Sequence, residues 1–201
     1  MPDPGTPHIH CTGKLTKLLK VRPVVAPPDA DGWNANLFPI AGRKCIILVH
    51  KATFFSLIKY DVVKADLKDF PSFFSNLLRQ QLLLQWPMHE AAIDAWRGTL
   101  APAVLSTSDN DKRTIGVMNR FVDEFTFNLG WFRTPLLEAH LRVANWNLNN
   151  NVVGGGKNRN AYTNPEEQMA RVLGVPYDRL DAVHRYQQAK QALERMHLRL
   201  N

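Results

Sequence analysis

The stretch from Gly32 to Tyr60 constrains the fold more than any other part of the chain. Trp33-Asn34-Ala35-Asn36-Leu37-Phe38-Pro39-Ile40 has strand character and runs into an Ala41-Gly42-Arg43 turn. Lys44 to His50 is a second, strongly apolar strand, and Lys51-Ala52 leads into a third from Thr53 to Tyr60. Strands joined by turns this short pair with their sequence neighbours, so the stretch predicts a β-meander. A brief alternating segment, His8-Ile9-His10-Cys11-Thr12, precedes a short helix from Lys14 to Lys20 for which Thr12 is the available N-cap. The proline-rich connector Arg22 to Asp29 forbids helix and favours an extended path.

Past Asp61 the apolar period changes from two to about 3.6. Phe70, Phe73, Phe74, Leu77, Leu78 and Leu82 share one helical face, with Pro71 in the first turn, and this helix is expected to cover the sheet. His89 to Arg97 predicts a second short helix, and Ala103 to Thr107 fits either a fourth meander strand or an edge strand. Ser108-Asp109-Asn110-Asp111 starts a long helix whose stripe is Ile115, Met118, Val122, Phe125 and Leu129. Pro135 opens another helix that decays into the asparagine-rich segment 145–151, and the glycine run Gly154 to Gly156 with Lys157 and Arg159 predicts a loop. Asn164-Pro165-Glu166-Glu167 is a helix start that Gly174 ends, and a last amphipathic helix begins near Asp178. The expected architecture is α+β: a small, largely antiparallel meander packed against helices, with a C-terminal helical extension. Residues 1–7 are expected to be a tail, 8–175 a single domain, and 176–201 the terminal amphipathic helix, which packs on its own domain or pairs with another subunit.

With 45% hydrophobic residues in 201, the chain can fill a core without staples. Cys11 and Cys45 make no disulfide framework, and Met1-Pro-Asp-Pro-Gly-Thr-Pro has no apolar signal core, which together predict a reduced, cytoplasmic protein. The run around Leu82-Leu83-Leu84 is too short and too interrupted by glutamine to cross a membrane. The formal charge of +7 concentrates at the front: residues 1–60 carry Lys14, Lys17, Lys20, Arg22, Arg43, Lys44, Lys51 and Lys59 against Asp3, Asp29 and Asp31. Lys14, Lys17 and Lys20 form one helix face, which suits either an anionic partner or solvent.

No motif completes a catalytic constellation. His10-Cys11 beside Lys14 carries the residue types of an activated thiolate, but strand alternation turns Cys11 inward and His10 outward, making Cys11 a small buried hydrophobe. Cys45 lies in a continuous apolar strand and reads as core. His8 and His10 share a strand face, and His50 is a conceivable third ligand, but no acidic cluster or HExxH helix accompanies them, so neither metal nor cofactor is expected. Gly154-Gly155-Gly156-Lys157 lacks the spacing, the following Ser or Thr, and the strand-to-helix context of a phosphate loop. Trp33 next to Arg43 and Lys44 reads either as a stacking platform for single-stranded nucleic acid or as an anchor between sheet and helix.

His10-Cys11-Thr12 with Lys14-Leu15, Trp33-x-Ala35-Asn36-Leu37, Arg43-Lys44-Cys45 before an apolar strand, and Phe55-Ser56-Leu57 together resemble an uncharacterised bacterial family, a domain of unknown function. Thr107 to Asn119, with Asp111, Arg113, Gly116 and Met118-Asn119, is similar to that family's later motif, and Tyr162 to Met169 to its end. The resemblance covers most of residues 8–173 and implies a compact α+β domain without an assigned activity. Three functional expectations stand beside it. The first is an intracellular accessory or interaction protein that binds nucleic acid through Lys14, Lys17, Lys20, Trp33, Arg43 and Lys44. The second is an enzyme acting on RNA or a phosphate-bearing substrate, with His10, Arg43, Lys44, Arg113 and Asn119 converging in a pocket. The third is a structural domain that dimerises through its terminal helix.

Overall fold

A computed structural model of the chain describes residues 6–26, 32–40, 42–130, 138–154 and 162–200. The elements run β1 (His8–Cys11), α1 (Gly13–Leu19), β2 (Gly32–Ile40), β3 (Arg43–His50), β4 (Ser56–Lys59), α2 (Phe70–Gln85), α3 (Glu90–Gly98) and β5 (Val104–Thr107). There follow α4 (Lys112–Gly130), α5 (Glu138–Asn150), the two-residue strands β6 (Val153–Gly154) and β7 (Tyr162–Thr163), α6 (Pro165–Leu173) and α7 (Arg179–Leu200).

The predicted meander is present as β2, β3 and β4. Its antiparallel ladders run from Trp33 opposite His50 to Ile40 opposite Arg43, and from Val49 opposite Ser56 to Ile46 opposite Lys59. β1 adds to the free side of β2 in parallel, because α1 carries the chain back along the sheet between them. β5 pairs with the other side of β1, also in parallel, which settles the choice left open for residues 103–107 in favour of an edge strand and gives the order β4-β3-β2-β1-β5. The architecture is α+β, with the longer ladders antiparallel.

Helices cover both faces of this sheet. Ile46, Leu48 and Leu57 meet Leu15 of α1, the Phe74, Leu78 and Leu82 stripe of α2, Ile93 of α3, and Met169 of α6. Cys45, Ile47, Val49 and Ile58 meet Met118, Phe121 and Phe125 of α4 and Ala144 and Leu148 of α5. Successive strand residues point to opposite faces, so a strand covered on both sides must be apolar at every position, and Cys45 to Val49 is. Asp69 caps α2 by accepting from the Ser72 amide at 3.2 Å, and Asn164 caps α6 by accepting from the Glu167 amide at 3.1 Å. Gly174 ends α6 at φ 68°. Thr12 sits at the N-cap of α1, but its hydroxyl donates instead to Asn36 Oδ1 at 3.0 Å, tying the helix start to β2.

The helix expected to decay at Asn145 continues to Asn150. Pro135 and residues 155–161, including Lys157 and Arg159, lie outside the described residues, as do the side chains of Leu193, Met196 and Leu200. The first half of α7 packs on α5 and buries Ala182. No described helix is long and apolar enough to cross a membrane. Both cysteines are free and buried.

Candidate functional site

On the α4 side of the sheet, three polar residues stand side by side. Ser106 on β5 is register partner to His10 on β1, which is partner to Asn34 on β2. All three are buried, at 0%, 2% and 2% exposure. The strand alternation is as the sequence predicts, but His10 faces a covered layer and not solvent. Its Nδ1 lies 3.1 Å from the Thr107 carbonyl, which can only accept, so Nδ1 carries a proton and Nε2 faces Asp109 at 3.7 Å. Asp109 also pairs with Lys51 at 2.8 Å. Burial pushes the Asp109 carboxyl up, but Lys51, the Asp111 amide and His10 outweigh it and hold the group below the usual carboxylate range. His8 Nδ1 bonds the Ser106 hydroxyl at 2.8 Å, and burial and the neighbouring His10 lower its pKa. His50 is on the opposite face, against Trp33 with ring centroids 4.9 Å apart, so it cannot join His8 and His10 around a metal. Among the described residues no group of three or more His, Cys, Asp or Glu side chains is placed to hold one.

The five residues considered for catalysis do not converge. Val49 stands opposite Asn34, beside His10, and Lys44 is five residues further along β3, roughly 17 Å away at strand rise. Arg43 lies one residue beyond and pairs with Asp61 at 3.3 Å. Arg113 opens α4 near the Asp109 loop and lays its guanidinium over Phe54, 4.6 Å from the ring centroid. Asn119 is exposed on α4. Burial pushes the Cys11 thiol up to about 12, the reverse of an activated thiolate.

Trp33 is 3% exposed and packs edge-on against Phe74 at 5.3 Å. Its position serves the anchor between sheet and α2, and the ring offers no face to a nucleic-acid base. The lysines differ. Lys14, Lys17, Lys20 and Lys44 are exposed, and none makes an ion pair among the described residues.

Lys44 belongs to a larger group than the sequence suggested. Lys59 is register partner to Ile46, on the face that carries Leu57 and α2, and Lys44 lies two residues from Ile46 on that same face. Lys44 and Lys59 are therefore diagonal neighbours. Lys59 and Lys68 line an open groove of about 580 Å³ between the end of β4 and α2, with Phe73, Asn76 and Gln80 along it. Two acids share the groove and keep their charge: Asp66 accepts from the Val63 amide at 2.9 Å, and Asp69 caps α2, which holds its carboxyl below the usual range. Lys59 and Lys68 were missed because only the fold of the 61–69 turn brings them together.

A second feature with no sequence signal is Glu166. It occupies the first turn of α6, where an acid favours the helix dipole, yet it is completely buried. Neither oxygen makes a well-aligned hydrogen bond, and the cation beside it is Arg185 of α7, at 3.6 Å. Burial pushes the carboxyl from 4.5 up to about 7, against Arg185 and the nearby Asn150 and Trp146, with Asp181 adding to the rise. Because the folded state holds this proton more tightly than the unfolded chain, stability is expected to fall as pH rises from about 4.5 to about 7. Glu166→Gln should flatten that part of the curve in urea melts taken across the window. An unchanged slope would assign it to other groups.

A five-stranded sheet covered by helices on both faces defines an α+β domain. The chain belongs to the family described as a domain of unknown function, DUF6933, which it matches over residues 8–168. The match begins at β1 and ends within α6, so it contains the sheet, the groove and Glu166, while α7 lies beyond it. No curated protein matches the chain.

Proposed function

We propose that this protein is a non-enzymatic interaction protein that binds a polyanion, nucleic acid, along the groove between β4 and α2. The observation that carries this reading is the clustering of Lys44, Lys59 and Lys68 on one face, exposed and without ion pairs among the described residues. Several acids elsewhere on the described surface are paired with cations: Asp61 with Arg43, Asp94 with Arg79 and Arg97, Glu167 with Arg171, and Asp109 with Lys51. The unpaired cations at this groove are lysines, which are suited to diffuse phosphate contacts more than to fixed bidentate ones. Lys14 and Lys17 on α1 and Lys20 at its C-cap are likewise exposed and without ion pairs among the described residues. With Trp33 in the core, binding rests on the phosphate backbone and is expected to be tolerant of sequence.

The test is a titration against labelled single-stranded RNA, single-stranded DNA and duplex DNA at low and moderate salt. Substituting Lys44, Lys59 and Lys68 by alanine is expected to weaken single-strand binding about tenfold or more at low salt and to reduce the slope of log affinity against log salt by about 2. Arg43→Ala, which removes a charge already paired with Asp61, should have a much smaller effect. Absence of binding at low salt would overturn the proposal.

A further inference from the structure

Arg185 enters a socket built entirely by the domain that precedes it. Its Nη1 donates to the Gln85 carbonyl at the end of α2, its Nη2 faces the buried Glu166 carboxylate, and its guanidinium carbon lies 5.5 Å from the centroid of Trp146 on α5. Within α7 itself, Tyr186 packs perpendicular to the indole with ring centroids 6.2 Å apart, and Asp181 pairs with Nε at 2.9 Å. A carboxylate, a backbone acceptor and an aromatic face around one point are the three contacts a planar guanidinium makes best, and an ammonium cannot use all of them at once. The socket also has polar capacity that Arg185 leaves unused: both Glu166 oxygens and both ends of the buried Gln85 amide lack hydrogen-bond partners. A wholly buried carboxylate without a well-aligned hydrogen bond is costly in any domain, which makes its presence here informative.

We infer that Glu166, Trp146 and the Gln85 carbonyl form a receptor for an arginine side chain, filled in this structure by Arg185, and that this occupancy docks α7 on the domain. The ligand class is a guanidinium on an alkyl stem. The receptor groups come from α2, α5 and α6, inside the family match, and the occupant comes from α7, beyond it. The inference is independent of the polyanion reading, which uses other residues.

Chemical rescue tests it directly. Arg185→Ala should lower the melting temperature by roughly 4 °C or more in a chain of this size. At pH 8, n-propylguanidinium on the order of 10 mM should restore at least about half of that loss in a saturable way, since a ligand of the native state alone stabilises it by mass action. Equal n-propylammonium or sodium chloride should restore little, and the Arg185→Ala/Glu166→Gln pair should not respond to either cation. Rescue by ammonium as good as by guanidinium, or no saturable rescue, overturns the receptor. Should Arg185→Ala fail to fold, hydrogen exchange on Glu166→Gln decides: amides of residues 179–191 should lose protection at least tenfold while β3 keeps its own, and unchanged protection of α7 overturns the proposal.

Discussion

Gly32→Ala is expected to cost at least about 3 kcal/mol in urea denaturation, at the upper end of what overpacking produces. A Cβ built on Gly32 would lie 2.2 Å from the carbonyl oxygen of His8 and 3.1 Å from its carbonyl carbon. Both are main-chain atoms of the register partner on β1, so no side chain can rotate away to make room. Relief requires β1 to move off β2, and β1 holds His10 under the Asp109 loop and pairs with β5 on its other side. Gly116→Ala is the control. An added Cβ there meets nothing within 4 Å, and the position is an exposed one inside α4. That variant should gain up to about 1 kcal/mol from helix propensity alone. Losing less than about 1 kcal/mol at Gly32 would mean that the two strands are not as close as described.

Asn149→Ala is expected to cost about 4 kcal/mol, the sum of several buried groups left without partners. β4 is the outer strand of the meander, and no further strand covers its edge among the described residues. The Ser56 amide donates to Asn149 Oδ1 at 2.6 Å, the Ser56 hydroxyl donates to the same oxygen at 3.0 Å, and Asn149 Nδ2 donates back to the Ser56 carbonyl at 3.0 Å. One turn earlier, Asn145 Nδ2 donates to the Ile58 carbonyl at 3.0 Å. Side-chain amides at i and i+4 of α5 thus do for β4 what a sixth strand would, satisfying its outward groups at alternate residues. Asn149→Asp keeps the acceptor and, while protonated, an O–H donor for the Ser56 carbonyl, so it should be milder at low pH and worse once ionisation removes that donor. Asn145→Ala removes a single bond and should cost about 1 kcal/mol. Equal losses at the two positions would show that the edge is not held in this way.

These two positions also mark where sequence reasoning stops. The meander was legible because Cys45 to Val49 is apolar at every position and the neighbouring turns leave each strand one available partner. The α2 stripe from Phe70 to Leu82 and the Asn164-Pro165-Glu167 start of α6 were legible because propensity, period and cap agree. Asn145 to Asn151 misled because asparagine disfavours helices through local backbone bonds, whereas here its amides bond β4 and the helix continues. His10 misled for another reason: alternation over four residues gives the face of a side chain but not whether a helix lies over it. Arg43 and Lys44 were grouped with His10 as near neighbours, yet β3 is long enough to hold them roughly 17 Å or more from it. Lys59, Lys68 and Glu166 became visible only with the tertiary fold, since nothing in their sequence neighbourhoods distinguishes them from solvated charges.

The parallel seat of β1 between β2 and β5 has a consequence for the order in which the molecule assembles. The meander closes over short loops and can form from a chain that ends near residue 60. His8–Cys11, made first, waits for Val104–Thr107 before its second side is paired. Contacts of that sequence separation carry a large loop-closure cost and slow the approach to the native state. While residues 12–103 are being made, β1 is therefore half-paired at best, an open edge that β5, the last strand of this sheet to be made, must close.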